Sequence, residues 1–77
     1  MKAYSEPIEV TPSQGRPDTI RWRRRTYCVE KILDFWIAQS RWWDREERRL
    51  YFLIQTNHSI MEIYRLGDSW TLSRLVD

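Results

Sequence analysis

Residues 29–37 read VEKILDFWI, and whether they form a helix or a strand decides the fold. Val29, Ile32, Leu33, Trp36 and Ile37 fall at i, i+3, i+4, i+7 and i+8, the stripe of an amphipathic helix. Two features oppose that reading. No capping residue precedes Val29, and the segment is rich in β-branched and aromatic side chains, which favour a pleated surface. A bulge near Glu30 and Lys31 lets a strand keep Val29, Ile32 and Trp36 on its inner face. A long bent strand is the preferred reading, with a helix as the alternative.

Alternation is clear on both sides of this stretch. Upstream, Ile20 and Trp22 share one face and Thr19, Arg21 and Arg23 the other; after Arg24 and Arg25, Tyr27 and Val29 again share a face. This is the pattern of two strands joined near the arginines. Downstream, SRWWDREERR (40–49) has a charged centre suited to an exposed hairpin connection. LYFLIQT (50–56) is apolar at both parities, as a central strand would be. IMEIYRL (60–66) and WTLSRLV (70–76) follow, set off by the turn signals NHS and GDS. TPSQGRPD (11–18) reads as a loop, and IEV (8–10), between Pro7 and Pro12, as a short edge strand. The expected fold is all-β: a small antiparallel barrel of five or six strands, SH3-like, closed so that no sticky edge remains. Residues 1–6 are expected to be a flexible N-terminus and residues 7–77 a single barrel domain.

A chain of 77 residues buries only about 60–65% of the surface its unfolded form exposes. With one cysteine, Cys28, and one histidine, His58, it has neither a disulfide nor a metal set of its own to brace it. The core therefore rests on five Trp, four Tyr and two Phe, with Trp22, Trp36 and Trp70 expected inside. On that reading Trp36→Ala unfolds the domain, since such truncations cost about 3–5 kcal/mol. No apolar run approaches membrane-spanning length and no secretory leader is recognisable, so the expected compartment is cytoplasmic and no membrane is involved.

Enzyme chemistry is not expected, nor any cofactor. His58 sits in a turn without a nucleophile near it in sequence, and Cys28 lies within a strand, where a buried cysteine behaves as a small hydrophobe. Asp44, Glu46 and Glu47 alternate with arginines, which suits a solvated segment better than a metal cage. No glycine-rich phosphate loop is present. What remains is arginine: eleven, against two lysines, at a net charge of only +2. Arg21, Arg23, Arg24 and Arg25 make a compact cationic hairpin able to neutralise backbone phosphates. Trp42 or Trp43 could supply a stacking platform for unpaired bases of single-stranded DNA. The same residue types dominate protein–protein hot spots, so a protein-docking or purely structural barrel without nucleic-acid contact stands as the alternative.

The stretches IRWRRRTYCVEKILDFW (20–36), RWW (41–43), RLYFLIQT (49–56), EIYR (62–65) and WTLSRLVD (70–77) resemble a small bacterial domain of unknown function. Its pattern is roughly W-x-x-R-x-Y-x-V, then V-L-D-x-W, a W-W pair, a tyrosine-rich strand, E-L-Y-R and W-x-L-x-R-V-x-D. The resemblance spans about residues 7–77 and consists of packing motifs. Arg24 departs from it, standing where the pattern has glycine between strands. Members of that group accompany mutasome proteins, the Y-family polymerase-like subunits and partner polymerase of error-prone repair. The resemblance thus implies a setting in translesion synthesis and a polymerase or mutasome subunit as partner, without a mechanism.

Overall fold

The computed structural model describes residues 2–42 and 45–76, with side chains described for 4–40 and 47–76. Six strands follow one another: β1 (Lys2–Ser13), β2 (Arg16–Trp22), β3 (Arg25–Trp42), β4 (Arg45–Thr56), β5 (Ile60–Leu66) and β6 (Ser69–Leu75). Each pairs antiparallel with the next, and β1 pairs with β6, closing a barrel in sequential order. The expected all-β antiparallel barrel, at the six-strand end of the range, is what the chain forms. None of the described residues lies in a helix long and apolar enough to cross a membrane.

The decisive stretch is a strand, and it carries two register shifts against β4: one between Val29 and Lys31, a second between Ile32 and Asp34. Each bulge adds one residue, so the second flips which parity faces inward. Val29 and Ile32 pack against the core, as expected. Beyond Leu33 the assignment reverses: Phe35 and Ile37 lie opposite Phe52 and Leu50, while Trp36 lies opposite Tyr51 on the outer face. Trp36 is therefore not a core residue, and Trp36→Ala is no longer expected to unfold the domain. A single bulge predicts Trp36 inside; the second puts it outside.

Fully buried side chains are aliphatic: Ile20, Ile54, Met61, Ile63 and Leu72. Trp22, Tyr27 and Phe52 complete the core, with Trp70 half-buried against Phe52 at a centroid distance of 5.7 Å. Rings and aliphatic chains thus share the core, with the most deeply buried positions aliphatic. A six-stranded barrel has a narrow interior, and branched chains pack it better than indoles.

Turn chemistry fixes the register. Gln14 and Gly15 link the Ser13↔Arg16 pair with φ of 53° and 78°, a two-residue turn of the mirror-image type that matches strand twist. Thr11–Ser13 and Arg16–Asp18, expected as loop, are thus strand on both sides of a tight turn. Gly67 links Leu66↔Ser69 with φ 61°. The β4–β5 connection is held by Thr56, whose buried hydroxyl accepts the His58 and Ser59 N–H groups at 3.1 and 3.0 Å and donates to the Ser59 carbonyl at 2.8 Å.

Residues 2–6, expected as a flexible end, lie in β1, whose first half pairs with β6 and whose second half pairs with β2. β1 is no edge strand; it closes the barrel. Likewise Arg41–Trp42 and Arg45–Arg49, expected in an exposed connection, are paired strand residues. Because β4 meets β5 only from Leu50 onward, this part of the β3–β4 hairpin stands clear of the barrel as an arm.

Candidate functional site

The arginine hairpin forms as expected and is tighter than expected. Trp22 pairs with Arg25, leaving Arg23 and Arg24 as a two-residue turn with φ of 50° and 62°. Both central positions require left-handed backbone, which favours Asn-Gly; here two arginines take it, at a steric cost of roughly 1–2 kcal/mol each. The missing glycine at position 24 is thus a real local strain.

Arg23 is not free to meet a phosphate. Its Nη2 lies 2.7 Å from Glu6 Oε2 and its Nε 3.3 Å from Glu6 Oε1, while the Trp22 indole N–H donates to the same carboxylate at 3.0 Å. The guanidinium also stacks over the Trp22 and Tyr4 rings at 4.7 and 5.3 Å. The Arg23 and Trp22 hydrogen bonds hold the Glu6 carboxyl below its ordinary range, and Glu6 in turn raises Arg23. This cluster fastens β1 to the β2–β3 turn. Arg21, Arg24 and Arg25 are exposed, with Arg21 paired in register with Glu9 across the strands. The side chains of Trp42 and Trp43, the expected stacking pair, lie outside those described.

Cys28 is exposed rather than buried. Its N–H donates to the Asn57 side-chain oxygen at 3.0 Å and its carbonyl accepts the Asn57 N–H at 3.1 Å, which ties β3 to the β4–β5 turn. His58 is exposed there, edge-on to Tyr27 at 5.5 Å. Among the described residues, no three His, Cys, Asp or Glu side chains cluster as a metal would need.

Two features escape a strand-by-strand reading, and both follow from the second bulge. The first is an outer-face row of rings. Trp36 stacks parallel on Tyr51 at 5.3 Å, and Tyr51 meets Tyr64 at 5.1 Å. Arg49 lies 4.8 Å over Tyr64, held by Glu47 at 3.2 Å and the Tyr51 hydroxyl at 3.5 Å. Those two hydrogen bonds raise the Arg49 pKa. These are cross-strand pairs that stiffen β3, β4 and β5 where the arm leaves the barrel.

The second is an apolar face left uncovered. Leu33, Phe35 and Ile37 are 39%, 47% and 44% exposed, the large apolar side chains most open to solvent among those described. Phe35 leans on Phe52 at 4.9 Å and helps line a groove of 520 Å³, together with Ile32, Leu50, the Gln14–Gly15 turn and Arg16 at the start of β2. Arg16 stands at one side of this groove; Arg48 and Arg65 line the adjoining hollow beside Leu50. The backbone is uncovered too. The β2–β3 ladder ends at Thr19↔Cys28, so from Val29 onward β3 is paired only with β4. A gap of 420 Å³ separates the start of β2 from residues 29–32. The signal for this face was the run Leu33, Phe35, Ile37, which has the period of a strand and conflicts with Val29 and Ile32 unless a second bulge intervenes.

No curated protein and no solved structure matches the chain. A family model, "Domain of unknown function (DUF6504)", matches residues 1–77, so the chain belongs to that family.

Proposed function

We propose that this domain is a non-enzymatic binding module that docks a partner protein on the groove lined by Phe35, Leu50 and Phe52 and on the exposed Ile37 opposite Leu50. The observation that supports this most strongly is three large apolar side chains held in solvent on one strand of a domain that has little apolar volume to spare. Exposed apolar area of this kind, rimmed by polar groups, marks interaction surfaces. The rim is arginine, a residue enriched with aromatics at binding hot spots. The family description assigns no activity. The sequence resemblance to domains that accompany mutasome proteins makes a Y-family polymerase-like subunit, in an error-prone repair setting, the first partner class to try.

A second reading, contact with single-stranded DNA through the hairpin, rests on Arg21, Arg24 and Arg25, which are exposed. It is the weaker reading because Glu6 neutralises Arg23, the residue at the centre of the cluster. One experiment separates them: capture of polymerase-like subunits by the immobilised domain, beside binding of a labelled single-stranded oligonucleotide, both across a salt series. The docking reading expects salt-tolerant capture of a subunit that is lost in Phe35→Ser/Ile37→Ser. Oligonucleotide binding that falls log-linearly with salt and is lost in Arg21→Glu/Arg25→Glu, with no capture, replaces it with the second.

A further inference from the structure

The groove and the unpaired side of β3 adjoin one another, and together they define the shape of an occupant. Past the second bulge, β3 is regular from Asp34 to Trp42 against β4. In an antiparallel ladder alternate residues turn their backbone groups to opposite sides. The Phe35 N–H donates to Asp34 Oδ1 at 2.8 Å, which places residue 35 among those turned away from β4. By alternation Ile37 and Gln39 share that side. The free edge thus offers backbone groups at three alternate residues, the first capped by a neighbouring carboxylate. Capping by a charged side chain is one way proteins blunt an edge against unwanted pairing.

Charge selects among occupants. On the inner face the apolar strip of Phe35 and Ile37 lies between Arg16, at the start of β2, and Arg48, which is opposite Gln39 on β4. A second copy of this chain docked edge to edge about a two-fold axis would set these arginines against their own kind, an unfavourable arrangement. An acidic partner meets them favourably.

Resting on the docking reading above, we propose that the partner contributes an extended segment that adds as a seventh strand along residues 33–39 of β3. Its apolar side chains cover Phe35 and Ile37, and carboxylates at its two ends meet Arg16 and Arg48. Main-chain hydrogen bonds give such an added strand its affinity and alternate side chains its specificity. The Asp34 carboxylate must leave the Phe35 N–H for the strand to seat, so Asp34 acts as a gate on the edge.

The test is titration of the domain, followed by calorimetry and amide chemical shifts, with the end-capped heptapeptide Glu-Thr-Val-Thr-Val-Thr-Glu. The proposal expects binding, at least about tenfold weaker for the counterpart with lysine at both ends. Methylating alternate peptide nitrogens in one register abolishes binding, and methylating the other register leaves it, because only one set faces β3. Asp34→Ala tightens binding severalfold, whereas Asp34→Asn, which keeps the acceptor and has the same charge change, binds like the native domain. Equal binding of both methylated registers overturns strand addition while leaving groove docking intact. Failure of the acidic peptide to bind at millimolar concentration, or preference for the lysine peptide, overturns the proposal directly. Equal or weaker binding by Asp34→Ala overturns the gate. The subunit capture described above reports on docking itself, so the two failures are told apart.

Discussion

Arg23 carries two opposed effects in one residue. Its backbone sits in left-handed conformation, which is costly for any side chain, while its guanidinium joins Glu6, Trp22 and Tyr4 in a cluster that pins the first strand. Arg24 carries the same backbone strain with its side chain exposed. Arg24→Gly therefore stabilises the domain, by about 0.5–1 kcal/mol once the added freedom of the unfolded chain is subtracted from the relieved strain. Chemical denaturation checks this. Arg23→Glu sets two carboxylates together and lowers the melting temperature, and Glu6→Arg in the same chain recovers part of the loss. The cluster also has an acid signature. Glu6 is depressed below its ordinary value of 4.5, so its contribution is present above that pH and is lost as pH falls through the depressed value in the folded state. Native protein loses more stability than Glu6→Gln between neutral pH and the acid end of that range, as thermal melts in matched buffers will register.

At the scale of elements, strands and turns were legible because their signals are local. Alternation marked β2, β5 and β6, and the turns at Gly15, Gly67 and Asn57–Ser59 stood out by residue type. Glu30–Lys31 was legible as a bulge because the pattern Val29, Ile32 demands one. The second bulge was not, since Trp36 competes with Phe35 and Ile37 for the inside and bulk alone favours tryptophan. That one residue of slip moved Trp36 to the outer face and brought the groove into being. Trp36→Ala should accordingly leave a folded domain, losing about 1 kcal/mol from its stack on Tyr51, against the 3–5 kcal/mol of a core indole. The β4–β5 turn carries a larger burden. Thr56→Val keeps the shape but strips the acceptor from the His58 and Ser59 N–H groups, at a cost of about 1–3 kcal/mol, measurable by urea unfolding.

Across the whole molecule, barrel closure and exposed apolar area belong to one account. β1 turns from β6 to β2 and closes the ring, yet β2 is short, and β3 outruns it from Val29 onward. The excess length of β3 and β4 becomes the arm, and the side of β3 that β2 never covers becomes the open edge. Sequence reading located the cations and missed the face they border. Composition shows how many arginines there are, while strand register decides which of them flank an apolar strip. If Phe35 and Ile37 are kept for binding, the fold does not depend on them. Thermal unfolding of Phe35→Thr/Ile37→Thr tests this most directly. The account predicts a cooperative transition within about 1 kcal/mol of the native chain, as for other exposed sites. A loss of about 2–5 kcal/mol, the scale of emptying a buried position such as Ile54, would place both side chains in the core and contradict it.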